Sequence, residues 1–186
     1  MFKNVKSLFI ALVAVATMFG CQGPPRPGGE PAVAEVNADA KTIYISSKAS
    51  FADGVAPNIK KECTIDAQVM KFIKAYAANH NINVIVDGKP KPSDTVLKVS
   101  IVEAISAGNA GVGHNKYITI SGELYDGKTL QSSFKASRRS GGGYFGVYRG
   151  SCSVLGSCAK TLGKDTAGWL TSPVDNAKLG DIYLIK

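Results

Sequence analysis

Histidine is scarce in this 186-residue chain: His80 and His114 are the only two, and neither sits in a His-x-x-x-His or Cys-x-x-Cys spacing. Zinc sites draw on clusters of that kind, so no metal is expected, and no other cofactor. Cysteine is sparse as well, at four, and none lies near a histidine that could serve as its base. Charged residues make up 19% of the chain, somewhat below the usual share, and hydrophobic residues 45%. That balance supports a packed core and excludes global disorder. The 14 acids are scattered. Glu103, Glu123 and Asp126 lie on or beside predicted strands with no pattern joining them, so the paired carboxylates of a glycosidase are not in evidence. Beyond the N-terminus there is no apolar run long enough to cross a bilayer and no internal repeat. The expectation is a protein that is not an enzyme.

Basic residues, by contrast, are in excess. The formal net charge is +8, and residues 1–20 contribute Lys3 and Lys6 without an acid, leaving +6. A basic balance often marks nucleic acid or an anionic surface as partner. The N-terminus argues against nucleic acid, because it is built for export. Lys3 and Lys6 precede an uncharged apolar stretch, Leu8 to Phe19, which Gly20-Cys21 closes. Twelve apolar residues make about 18 Å of helix at ~1.5 Å per residue, too short for a hydrocarbon core of about 30 Å. The length suits a signal peptide.

Met18-Phe19-Gly20-Cys21 resembles a bacterial lipobox. The resemblance implies diacylglycerol on the Cys21 thiol, cleavage after residue 20, and anchoring to a membrane. Two or more acyl chains meet the requirement for stable attachment. Gln22 in place of Asp implies, by the same resemblance, the outer membrane. Residues 21–40 carry four prolines and three glycines and read as an extended tether. Residues 41–186 read as a single domain.

Within that domain Lys41–Ser46 alternates and predicts a strand. Residues 51–61 carry Gly54 and Pro57 and read as a loop. Ile65, Val69, Phe72, Ile73 and Tyr76 share one face of a helix over 64–79. Residues 82–86, 95–104, 117–125 and 130–137 read as strands. Asp126-Gly127 is a two-residue hairpin signal between the last two. Residues 107–115 and 140–150 are glycine-rich connections. In 154–170 the stripe Leu155, Ala159, Leu162, Thr166 and Trp169 predicts a second helix, weakened by three glycines at about 1 kcal/mol each. Residues 181–186 are a candidate last strand. The expected fold is α+β: a mainly antiparallel sheet of four to six strands with two helices packed on one face.

The lipobox, the tether and this element order resemble small uncharacterised proteobacterial outer-membrane lipoproteins. The stretch from Ala107 to Asp126, the glycine-rich loop after it and Ala167-Gly168-Trp169-Leu170 carry the likeness. It implies a fold and a location in the cell envelope, facing the periplasm. It implies no catalytic residues.

Cys63, Cys152 and Cys158 are the disulfide candidates, in a compartment where disulfides persist. A bridge from Cys63 to one of the other two closes the longer loop, worth roughly 4–5 kcal/mol for about a hundred residues. A tight Cys152–Cys158 loop and buried free thiols are the alternatives. The glycine run Gly108–Gly113 lacks the strand-then-helix context of a phosphate loop. Arg138, Arg139, Tyr144, Phe145, Tyr148 and Arg149 interleave aromatics with arginines in a glycine-rich segment. Tyr and Arg dominate binding hot spots, which makes these six the partner-binding candidates. The alternative is that the aromatics fold back over the sheet edge. The leading expectation is a lipid-anchored, non-catalytic envelope protein that binds a protein partner or supports an assembly. A module for a small ligand or glycan is the second, and an envelope hydrolase the third.

Overall fold

The computed structural model describes residues 35–109, 113–140 and 150–184. Cys21, the signal segment, most of the tether, and Tyr144, Phe145, Tyr148 and Arg149 lie outside the described residues. The elements run β1 (Lys41–Ile45), β2 (Ser50–Phe51), α1 (Pro57–Glu62), α2 (Ile65–Ala78), β3 (Ile82–Val86), β4 (Thr95–Asn109), β5 (Gly113–Asp126), β6 (Thr129–Ser140), α3 (Ser151–Trp169) and β7 (Ala177–Gly180). A 3-10 turn, Ile182–Leu184, follows. Among the described residues no helix is long and apolar enough to cross a membrane.

Among the described residues seven strands form one sheet in the order β3-β1-β4-β5-β6-β7, with β2 beside β4. This exceeds the expected four to six strands, and the sheet is mixed: its long central pairings are antiparallel as expected, its outer ones parallel. Pairs β1–β3, β1–β4, β2–β4 and β6–β7 are parallel. Only β4–β5 and β5–β6 are antiparallel, so β5 alone runs against the other six. The long β4-β5-β6 meander is the antiparallel part that alternation makes visible. The parallel edges arise from two helical crossovers, β1 to β3 through α1 and α2, and β6 to β7 through α3.

The apolar alternation decides which face is covered. Ile43, Ile45, Val84, Leu97, Val99, Ile101, Ile118, Ile120, Leu124, Phe134 and Ala136 share one face by register and join one buried cluster with α2 and α3. Fully burying such side chains stabilises by about 1.5–3 kcal/mol each. Both long helices therefore lie on one side of the sheet. Because they cross from strands of one direction toward opposite edges, the two crossovers have opposite hands, one of them the rare left-handed form.

The helices pack side by side and run the same way. Cys63, just ahead of α2, is bonded to Cys152 at the start of α3, with Cα atoms 5.1 Å apart. Further along, Gly156 faces Gln68 and Gly163 faces Phe72. A Cβ on Gly163 would collide with the Phe72 Cβ and lie 2.8 Å from its carbonyl carbon. The glycine that lowers helix propensity is what brings the two backbones together. Gly168 has open space around it.

Smaller departures have local causes. Residues 57–62 form α1 where a loop was expected, because Pro57 occupies the first turn, where its missing N–H is harmless. The hairpin turn is shifted by one: Asp126 pairs with Thr129, leaving Gly127 and Lys128 as the loop. Gly127 has φ +59 and Lys128 is not in the positive region, the type II′ pattern. The glycine-rich 107–115 connection is mostly strand, since β4 runs to Asn109 and β5 starts at Gly113. The last strand is 177–180, not 181–186, where the described part is a 3-10 turn.

Candidate functional site

The face of the sheet away from the helices carries the polar alternate positions, and register arranges them in rows. At one end Tyr44 lies beside Val96, and Val96 beside Tyr125. The next row is Lys98, Glu123 and Ser133. Then come Ser50, Ser100, Ser121 and Lys135 across four strands. Glu103, Thr119 and Ser137 follow, past a bulge in β4. Ile105, Tyr117 and Arg139 make the last described row.

Two tyrosines organise the acids of this face. The Tyr117 hydroxyl donates to Glu103 Oε1 at 2.6 Å. That hydrogen bond, with burial and the carboxylate charge, pushes the phenol up to about 12. The Tyr125 hydroxyl donates to Glu123 Oε2 at 2.7 Å, which also raises the phenol. Lys98 Nζ sits over the Tyr125 ring, 4.4 Å from its centroid, an attraction of cation to ring face. Glu103 on β4 pairs with Thr119 of β5, and Glu123 stands four residues further along β5, so their backbones are about 14 Å apart along the strands at ~3.4 Å per residue. Their spacing and their tyrosine partners suit fixed surface polarity better than a shared proton. Among the described residues no group of three His, Cys, Asp or Glu is placed to hold a metal.

A break in the sheet opens this face. β1 ends at Ile45 and β2 resumes at Ser50, both along the same side of β4. Between them Ser47 N–H donates to Asp87 Oδ1 at 2.8 Å, and Ala49 N–H to the Asp66 carbonyl at 3.3 Å. The strand is thus held away from β4 at this point. The gap forms a cavity of about 280 Å³, flanked by Lys48 and Lys98 and walled by Ser46, Ser50, Ser100 and Ser121. Met70 and Val99 reach it from the core, and Glu123 lies at its rim. Ser50 and Ser100 share a hydrogen bond of 2.6 Å. On the other side of the same segment is an apolar groove of about 650 Å³ along α2, bordered by Ala67, Met70, Lys74 and Val86.

The residues singled out from sequence fall in different places. Arg138 points to the helix side, where Nε and Nη2 donate to Asp165 at 2.6 and 2.9 Å and Nη1 to Asp181 at 3.3 Å. Its guanidinium joins β6, α3 and the C-terminal turn. Arg139 is exposed on the open face, and its backbone N–H donates to Asp181 Oδ2 at 3.0 Å. Cys158 is a free thiol buried in the core, pushed up to about 11 chiefly by burial, which leaves it protonated and unreactive. His80 is exposed just past the end of α2. The outward side chains of β4 and β5 are readable from alternation. The break between β1 and β2, which turns them into a cavity, has no such signal in a two-residue strand.

The chain matches no protein-family model and no curated protein by sequence. Solved structures share its fold. A Xanthomonas campestris protein of the DUF330 family superimposes with a TM-score of 0.54 at 11% identity, over 76% of this chain and 92% of that one. The PelC dodecamer from Paraburkholderia phytofirmans gives 0.42 at 12% identity, over 70% and 92%. A minor lipoprotein from Acinetobacter baumannii gives 0.41 at 8% identity, over 71% and 93%. The first establishes a shared architecture. The other two are more distant likenesses.

Proposed function

We propose that this protein is a lipid-anchored envelope lipoprotein, placed at the outer membrane facing the periplasm by Cys21, and that it is non-catalytic, binding a protein partner or supporting an envelope assembly. The observation that carries the binding part is the asymmetry of the sheet. One face is sealed by α2 and α3 over a continuous core. The other carries tyrosines, lysines and serines in register; Tyr117, Thr119 and Ser137 are buried there, while Lys98, Lys135 and Arg139 are exposed. Aromatic and arginine side chains are the types that anchor interfaces. Tyr144, Phe145, Tyr148 and Arg149, the other candidates from sequence, follow Arg139 within ten residues of the chain and lie outside the described residues. The anchoring part rests on the signal sequence and its lipobox likeness.

Two experiments test the parts separately. Intact-mass analysis of the exported protein is expected to show loss of residues 1–20 and the added mass of acyl chains on Cys21. A product that begins elsewhere, or carries no fatty acid, defeats the anchoring. Pull-down from detergent-solubilised envelope is expected to recover a stoichiometric partner. Arg139→Ala with Tyr148→Ala and Arg149→Ala should weaken recovery about tenfold, which is ~1.4 kcal/mol. Recovery of no partner by the parent protein counts against the binding role.

A further inference from the structure

We infer that the gap between β1 and β2 is a binding site for a hydroxylated anion of monosaccharide size, a sugar bearing one carboxylate or phosphate. This goes beyond partner binding and does not depend on the lipid anchor.

The charge is the first argument. Lys98 and Glu123 stand directly opposite each other on neighbouring strands, where opposite charges normally pair. Among the described residues no ion pair joins them. Tyr125 separates them instead: its hydroxyl holds the Glu123 carboxylate at 2.7 Å and its ring face holds the Lys98 ammonium, 4.4 Å from the centroid. Lys98 thus lines the cavity with its ammonium on a ring face and not on a carboxylate. Lys48 also lines the cavity, is exposed and has no carboxylate partner among the described residues. Two cations against one engaged carboxylate leave a cavity that favours a single negative charge.

Shape and chemistry narrow the ligand. About 280 Å³ lies just below the ~300–1,000 Å³ range of ligand pockets, which suits one ring and not a chain. The hydroxyls of Ser50, Ser100 and Ser121 lie in one row across three strands; the Ser50–Ser100 bond uses one of their three donors, leaving two donors and free acceptor lone pairs for a ligand. Glu123 is acceptor-only and suits a ligand hydroxyl. Met70 and Val99 supply an apolar floor for the C–H face of a pyranose. A bare inorganic anion would leave the floor and the acceptor unused, and a neutral sugar would leave both ammonium groups unanswered.

The test is equilibrium dialysis of the full exported chain in detergent micelles against labelled glucuronate, glucose 6-phosphate, glucose and acetate. Glucuronate or glucose 6-phosphate is expected to bind at least tenfold more tightly than glucose and acetate. Preference between those two tells which anion the site takes. Lys48→Ala and Lys98→Ala should each weaken that binding about tenfold. Both lysines are exposed, so their variants should melt with the parent in circular dichroism. Binding no tighter than glucose, or binding unchanged in the folded Lys48→Ala/Lys98→Ala double variant, overturns the assignment.

Discussion

Single residues in this protein are decided by what stands opposite them, and two glycines of the same helix show it. Gly163 abuts the Phe72 backbone, and Gly168 faces open space. Gly163→Ala is expected to destabilise by about 1–3 kcal/mol, the usual range for overpacking. Gly168→Ala should stabilise by up to about 1 kcal/mol through helix propensity. Denaturant melts of the two variants check the opposite signs. Tyr117 gives a second prediction. Its phenol is raised to about 12 in the folded state by Glu103, against an ordinary value near 10. A raised group contributes stability that is complete below the ordinary value and lost as pH rises through the folded one. Stability should therefore decline between about pH 10 and 12, and Tyr117→Phe should flatten that decline. Ultraviolet titration of phenolate should show Tyr117 ionising after the exposed tyrosines. Glycine placement of this kind was not legible beforehand: the sequence shows that three glycines interrupt a helical stripe but not which of them meets a neighbour.

Elements were more legible than their directions. Period-two alternation identified β1, β4, β5 and β6 because each has one apolar side, a short apolar run identified β3, and the 3.6-residue stripe identified α2. β2 and β7 escaped because two and four residues carry too little alternation to register. Strand direction escaped for a different reason. Alternation marks a face, and it is identical for parallel and antiparallel neighbours. Only the connections distinguish them, and the β1-to-β3 connection, holding two helices, was long enough for a parallel return. The edge strand β7 packs only the partly buried Ala177 and Leu179 against the core, and the Arg138 network is one of the contacts that hold its C-terminal end. Asp165 accepts two hydrogen bonds from Arg138, and Asp181 a third. Asp165→Asn should destabilise by about 1 kcal/mol, an amount reduced by partial exposure. Amide exchange should accelerate in residues 177–184 in that variant before it does in β4 or β5. Equal acceleration across the sheet would show that the network does not hold the edge.

For the molecule as a whole, the open face and the core follow from composition and pattern, and the cavity between β1 and β2 does not, since it depends on a break that only three-dimensional pairing reveals. The Cys63–Cys152 bond spans 89 residues. Its reduction is expected to lower stability by up to about 4–5 kcal/mol on the loop-entropy account, read as a fall in melting temperature with reductant in a protein that is otherwise unchanged. Cys158 sits six residues beyond Cys152 on the same helix. To a random coil the two candidate rings closed by Cys63 are nearly equal in length, and the logarithmic dependence on ring size makes them almost equally easy to form. Proximity statistics therefore give the oxidant no means of telling the thiols apart. The choice is made by the formed helix, which presents one sulfur to Cys63 and seals the other inside the core. Oxidation in strong denaturant should scramble the partners, whereas oxidation after the helices have docked should yield one isomer.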